Sequence, residues 1–483
     1  MNRLAVKFFP HIVHLPQGVK ASVAFFLASL ITKGIAYLTT PVYTRLLTPD
    51  EFGVTSVFLT WLHLLGIVAM FCLGAGVFNN GMVDYPDRRD EYTFSMLGLS
   101  NIITLVFSGI ILAGFPFIRS YIGLDFPLVL LMCAIFLCQP AYNFWAHQQR
   151  YELKWEKTTF WVVFSALFSS GIAIICILLF PRHRLYGRIF GAECALIAIY
   201  LGFYLHLAKK NHFHWNTSFW KQAFLFNLPI IPHYLSTHLL SSSDRLMIAC
   251  LVSDSATAFY SVAYSVAAVV LIVWTAAHTS LIPFIYENCK VKNYSAISKV
   301  TLPILAVFGG TCILLILLAP EAISVMATRD YREAIYVVPP VVAGVFFQVH
   351  YYLYADVLYY YKKPRYVMYG SIGATAANLL LNWLFIPRFG YIAAAYTTLA
   401  CYLLQATIDY WAMRHVIKVK IYDMHLIVLL SVALCAIAFA CLFVYDIPSI
   451  RYSLLSLLVL ALFLQRRRVI RILTAFKKKP NPA

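Results

Sequence analysis

Residues 21–46 read ASVAFFLASLITKGIAYLTTPVYTRL, an apolar run preceded by Lys20 and broken in its interior by one charge, Lys33. A helix rises about 1.5 Å per residue, so roughly 20 apolar residues cross a hydrocarbon core about 30 Å thick. The run therefore reads as a membrane-spanning helix. Comparable windows begin near Phe52, Tyr92, Phe126, Thr158, Leu185, Ala223, Ala256, Ile297, Ala334, Tyr366, Tyr391, His425 and Tyr452, which makes fourteen. The last is the weakest, because Leu454–Leu464 is short and runs straight into basic residues. The expected fold class is an all-α polytopic membrane protein.

Composition agrees. Of 483 residues 61% are hydrophobic and only 12% charged, against roughly a quarter charged in a soluble domain. Mean hydropathy is +0.76. A soluble enzyme, a disulfide scaffold and a disordered binder are excluded. The formal charge of +18 would suggest nucleic acid in a soluble protein. Here the polar residues are too few to build a solvated basic face, so no nucleic-acid partner is expected and membrane lipids are. The eleven cysteines (Cys72, Cys176, Cys312 and Cys441 among them) lie singly in apolar runs without ligand spacing, and read as small apolar fillers. Met1–Lys20 is basic, is interrupted by Pro10 and Pro16 and has no small-residue cleavage site, so it reads as a cytoplasmic extension.

The charges are arranged by side. With a cytoplasmic N-terminus, 27 of the 38 lysines and arginines fall on the cytoplasmic side and nine outside, while Lys33 and Arg245 lie within spans. Seven of the 27 belong to the tail from Arg466 to Lys479, and the bias survives without them. By the positive-inside rule both termini are expected on the cytoplasmic side. One outer loop, with Arg182, Arg184 and Arg188, departs from the pattern. No loop is long enough to hold an active site of its own.

Two halves are discernible. Lys20 precedes a span ending at Arg45-Leu46-Leu47, and Lys221 precedes one containing Arg245-Leu246-Met247. Leu179-Phe180-Pro181-Arg182 is echoed by Phe385-Ile386-Pro387-Arg388 at a similar offset. Six spans is an even number, so the halves are expected to be parallel six-helix bundles related by an axis along the membrane normal. The expected division is residues 1–208 for the first bundle, 209–220 for a cytoplasmic link, 221–415 for the second bundle, 421–464 for two further helices and 465–483 for the basic tail.

An ionisable residue at a helix centre costs about 2.5–3.5 kcal/mol on insertion scales, so each needs a reason. Lys33 lies near the midplane, where snorkelling reaches poorly, and reads as a cation facing a cavity. Arg245 and Arg45 are its candidate companions for an anionic substrate. Asp244 and Glu193 are expected to form interhelical pairs that close the outer side, with static ion pairing as the structural alternative. Asp356 is a further gate or ion-coupling candidate, though it and Asp409 lie close enough to the cytoplasmic surface to be interfacial. Pro229 and Pro232 are candidate hinges, since proline frees carbonyls and bends a helix. His233, His238 and His278 do not share a helix face, so no metal site is expected. No P-loop, GxSxG, HExxH or catalytic carboxylate pair is present. The chain is expected to be no enzyme, to need no cofactor, and to use H+ or Na+ if an ion drives it.

Several stretches carry a family resemblance. Tyr43-Thr44-Arg45-Leu46-Leu47-Thr48-Pro49-Asp50-Glu51-Phe52-Gly53 resembles the opening of Wzx-type polysaccharide flippases. So do Asn227-Leu228-Pro229-Ile230-Ile231-Pro232-His233, Ser243-Asp244-Arg245-Leu246-Met247-Ile248, Tyr260-Ser261-Val262-Ala263-Tyr264 and the segment from Leu381 to Ala395. Ala258 stands where the family usually carries glycine. The resemblance covers most of residues 20–415 and implies membership of the superfamily that also holds multidrug exporters and lipid II flippases. It implies two bundles around a central cavity, a polyprenyl-pyrophosphate-linked oligosaccharide as substrate, and polysaccharide polymerase or assembly proteins as partners. Lys33 and Arg245 would then neutralise the pyrophosphate. The alternative is an ion-coupled multidrug or small-molecule exporter, which a cationic cavity disfavours for cationic drugs. A membrane glycosyltransferase would usually show a long external loop or a clustered acidic site.

Overall fold

The computed structural model describes residues 17–74, 76–211 and 215–460. Most of the N-terminal extension, the start of the linker's aromatic segment and the basic tail therefore lie outside the described residues. Eleven helices among the described residues are long and apolar enough to cross a membrane. The chain is a multi-pass membrane protein.

The chain divides into two compact units, residues 1–235 and 236–483. In the first, α1 (Gln17–Leu46) leads into α2 (Pro49–Ala69), α3 (Val77–Asp84), α4 (Arg89–Ile122), α5 (Phe126–Tyr151), α6 (Trp155–Leu179), α7 (Arg184–Lys210) and α8 (Trp220–Asn227). Next comes α9 (Ile231–Leu251), in which the boundary falls. The second unit continues with α10 (Asp254–Lys290), α11 (Tyr294–Leu317), α12 (Ala319–Met326), α13 (Val338–Tyr360), α14 (Pro364–Phe389), α15 (Tyr391–Ile417) and α16 (Met424–Val444). A shorter apolar helix, α17 (Pro448–Leu460), ends the described chain.

The turn after the first span is built locally. Thr48 caps α2: its hydroxyl accepts from Glu51 N–H, and the Glu51 carboxylate accepts from Thr48 N–H at 2.9 Å. This reciprocal box satisfies two backbone donors that a helix start otherwise leaves open. Ser253 caps α10 in the same way by accepting from Ala256 N–H at 3.1 Å. The two caps are 205 residues apart, in line with the offset between the halves.

The second span departs from a continuous helix. It breaks between α2 and α3, where Phe71 (φ +56°), Cys72 (φ +48°) and Gly76 (φ +82°) occupy the left-handed region. The first unit's aromatic core closes around this break: Phe78 stacks on Phe144 at 4.9 Å, and Tyr92 donates to Val77 O at 3.0 Å. Gly81 is required there, because a Cβ would lie 2.1 Å from the Tyr92 ring.

The seventh span breaks too. Residues 228–230 form a turn between α8 and α9, with Pro229 inside it and Pro232 in the first turn of α9. α8 remains with the first unit, held by Asn227 Nδ2 donating to Phe71 O at 3.1 Å. The second unit thus begins at Ser236, after the break, whereas the apolar window places the start of this span near Ala223. Proline cannot donate to the preceding turn, which makes the break local to these residues.

Candidate functional site

In the second unit, α9 and α14 are helical but do not meet the apolar criterion that the eleven candidate spans satisfy. The reason is polar side chains, and these converge. Asp244 on α9 is 1% exposed. Its Oδ2 accepts from Tyr260 Oη of α10 at 2.5 Å and from Thr398 Oγ1 of α15 at 2.7 Å. Its Oδ1 accepts from Asn382 Nδ2 of α14 at 2.7 Å.

A second layer holds these donors in place. Asn378, one turn before Asn382, donates to Thr398 Oγ1 at 3.1 Å and accepts from Ser243 Oγ at 3.2 Å. Thr397 donates to Asn382 Oδ1 and, as an alternative acceptor, to Ala394 O at 3.0 Å. Each hydrogen bond to a charged group contributes about 1.5–3 kcal/mol, so three of them offset the cost of about 2.5–3.5 kcal/mol for placing a carboxylate in the membrane.

Neutral groups supply all three bonds. Among the described residues no cation forms an ion pair with Asp244. The adjacent Arg245 points elsewhere, its guanidinium 4.8 Å above the Tyr264 ring. Adjacent helical positions diverge by about 100°, so the two charges were never placed to satisfy each other. The arrangement is a single negative charge surrounded by amides and hydroxyls. Hydroxyls can turn from donor to acceptor, and an amide can present its oxygen in place of its NH2, so such a cluster can take up a proton or a small cation.

Among the described residues neither Asp244 nor Glu193 forms the interhelical ion pair expected of it. Asp244 is satisfied by neutral donors instead. Glu193, 6% exposed on α7, faces a cavity within the first unit. Asp356 on α13 does have a charged-type partner: its Oδ2 lies 2.7 Å from His278 Nε2 of α10, and His278 stacks on Trp274. Asp409 is fully buried within the second unit and has no hydrogen-bond partner among the described residues.

The candidate cations sit differently from one another. Lys33 is exposed near the middle of α1 and forms no ion pair among the described residues. Arg45 donates to Pro41 O at 2.8 Å, which caps the C-terminal end of its own helix. Arg245 is half-buried. Pro229 and Pro232 mark the break before α9. Tyr351 and Tyr354 are buried in the core of the second unit.

Sequence reading reached Asp244 and Arg245 but missed Asn378, Thr397, Thr398 and the roles of Asn382 and Tyr260. The signal for α14 was present: two asparagines four residues apart on an apolar helix share one face.

A family model described as polysaccharide biosynthesis protein matches residues 19–288, more than half of the chain. The chain belongs to the polysaccharide biosynthesis protein family. No individual curated protein matches this family member in sequence. Among solved structures it is similar to the lipid II flippase MurJ in an inward closed conformation, with a TM-score of 0.64 and 13% identity, over 93% of this chain and 100% of that one. An inward-facing multidrug resistance MATE family transporter matches with a TM-score of 0.62 and 11% identity, over 80% and 94%. A mutant form of the Vibrio cholerae MATE transporter VcmN matches with a TM-score of 0.53 and 11% identity, over 84% and 97%. At such identities the likeness shows the fold, which is that of the MurJ and MATE transporters.

Proposed function

We propose that this polysaccharide biosynthesis family member is a flippase. It would carry polyprenyl-pyrophosphate-linked oligosaccharide from the cytoplasmic to the outer leaflet of a bacterial inner membrane, for surface polysaccharide such as O-antigen, capsule or exopolysaccharide. A pyrophosphate and its sugars cannot cross hydrocarbon, so they need a hydrated cationic path while the polyprenyl chain stays in lipid. The observation that carries the reading is Lys33, a mid-span lysine left exposed and without an ion pair in a member of this family. Arg245 is its proposed companion, with Arg45 held back by its capping bond.

Transport would proceed by alternating access, with Pro229 and Pro232 as the hinge. H+ or Na+ binding at Asp244 would supply the drive, because the cluster holds one carboxylate whose hydrogen-bond partners are all neutral. Asp356, paired with His278, is the further candidate for that coupling. No step calls for enzyme chemistry. Polysaccharide polymerase or assembly proteins would receive the flipped substrate.

The test is flipping of a fluorescent lipid-linked oligosaccharide in proteoliposomes. Lys33→Ala and Arg245→Ala should each slow the initial rate at least about tenfold, equivalent to about 1.4 kcal/mol. Asp244→Asn should abolish the response to an imposed H+ or Na+ gradient. Wild-type rates in both cation variants, with normal insertion, would overturn the cationic path. Efflux of a cationic dye without any flipping would favour a small-molecule exporter.

A further inference from the structure

The first unit contains a partly open cavity of about 370 Å³ that the proposed transport path does not use. Its wall combines three features. The first is the broken second span: Gly66 and Ile67 from the last turn of α2, then Met70, Cys72, Leu73 and Gly74 from the break, all line it. Irregular backbone at membrane depth is tolerated only where it is buried in protein or lines a hydrated cavity. The last turn of a helix also carries the negative end of its dipole. The break is firmly held, since Thr104 Oγ1 donates to Ala69 O at 2.9 Å and Asn227 to Phe71 O. Phe71 and Cys72 keep a left-handed backbone that costs about 1–2 kcal/mol per residue, strain of a kind that persists where it serves a site.

The second feature is an unsatisfied acceptor set. Glu193 is 6% exposed, lines the cavity, and has no hydrogen-bond or ion-pair partner among the described residues. Ser100 Oγ is fully buried at the same wall and is likewise unpartnered. Gln139 and Asn143 add amide oxygens.

The third feature is the count of charges. Among the described residues no three His, Cys, Asp or Glu gather to hold a metal, so a transition metal is not what the set selects. Hard oxygen donors with one carboxylate suit a singly charged ion.

We propose that this cavity binds a small monovalent alkali cation, with Glu193 as the charged ligand. Ser100, Gln139, Asn143 and the carbonyls of the α2 break supply neutral oxygens. The site lies in the first unit and is separate from the Asp244 cluster of the second, so it does not rest on the proposed transport cycle. The titratable and charged groups around Glu193 are His63 of α2, Cys72 of the break, His147 of α5, and Arg188, Cys194 and Tyr200 of α7. Arg188 is occupied at 4.0 Å over the Tyr43 ring. Binding requires an ionised Glu193 and neutral imidazoles, so acid should weaken it.

Equilibrium binding of radioactive Na+ to the purified full-length protein in detergent, at pH 8 with choline as the balancing cation, tests the proposal. Glu193→Gln should lower the Na+ bound at saturation by one per chain, while Asp244→Asn should leave this site filled. Ser100→Ala keeps the charge and should weaken Na+ about fivefold, the effect of one ordinary hydrogen-bonding group; it remains informative if Glu193→Gln does not fold. Unchanged Na+ binding in Glu193→Gln, or loss of all Na+ binding in Asp244→Asn alone, would overturn the proposal. So would a Glu193-dependent proton uptake that Na+ does not displace.

Discussion

Asp244 accepts three hydrogen bonds from three helices, and its stability cost is decided by what replaces each donor. Polar contacts between membrane helices average only about 0.6 kcal/mol when deleted, because an unfolded helix in lipid also finds partners. A carboxylate is different: a buried acceptor left unmatched costs about 1–3 kcal/mol, more when charged. Asn382→Leu removes the donor to Oδ1 and also the acceptor of Thr397. It should destabilise the second unit by about 2–3 kcal/mol, read as a lower midpoint in denaturant titration of the detergent-solubilised protein. Asp244→Asn keeps the shape and removes the charge, so it should leave that midpoint nearly unchanged while abolishing ion dependence. A midpoint loss equal to that of Asn382→Leu would make Asp244 a structural residue only. The sequence revealed the carboxylate because a lone charge in an apolar helix is conspicuous. It hid the partners, because Asn, Thr and Tyr are individually unremarkable in a span and only packing brings them to one atom.

At the scale of elements, close helix approach in the first unit depends on two glycines of α7. A Cβ at Gly187 would sit 2.9 Å from Cys176 O, a backbone atom of α6 that cannot swing aside. A Cβ at Gly191 would lie 3.0 Å from the Cα of Ala173. Small residues let membrane helices pack by dispersion where the hydrophobic effect gives no drive. Gly187→Val should therefore part α6 from α7 and cost about 1–3 kcal/mol, seen as a lower Tm of the purified protein. Gly202→Val, where no atom lies within reach of a Cβ, is the control and should be silent. Most elements were legible from their apolar windows. The break in the second span was not. Residues 70–76 read as apolar throughout, and only Gly74 and Gly76 hint that the chain leaves the helix there.

Across the whole molecule the charge excess of +18 is a statement about orientation, and the structure refines it. The loop that departs from the expected cytoplasmic bias carries Arg182, Arg184 and Arg188. Two of these are committed to the protein itself: Arg184 donates to Leu46 O at 3.1 Å, and Arg188 lies over the Tyr43 ring. Both hold the end of α1 and the start of α7 together, so their position follows from packing and not from the insertion bias. The positive-inside rule counts cations near span ends without asking what they bind. Once these two are set aside, the contrast between the sides widens. The orientation can then be tested directly with single cysteines in a cysteine-free background. A cysteine at Arg182, which has no such tie, should react with a membrane-impermeant maleimide in intact cells. One at Lys363 should react only after permeabilisation. The reverse pattern would invert the topology and, with it, the side from which the path proposed through Lys33 and Arg245 is first reached.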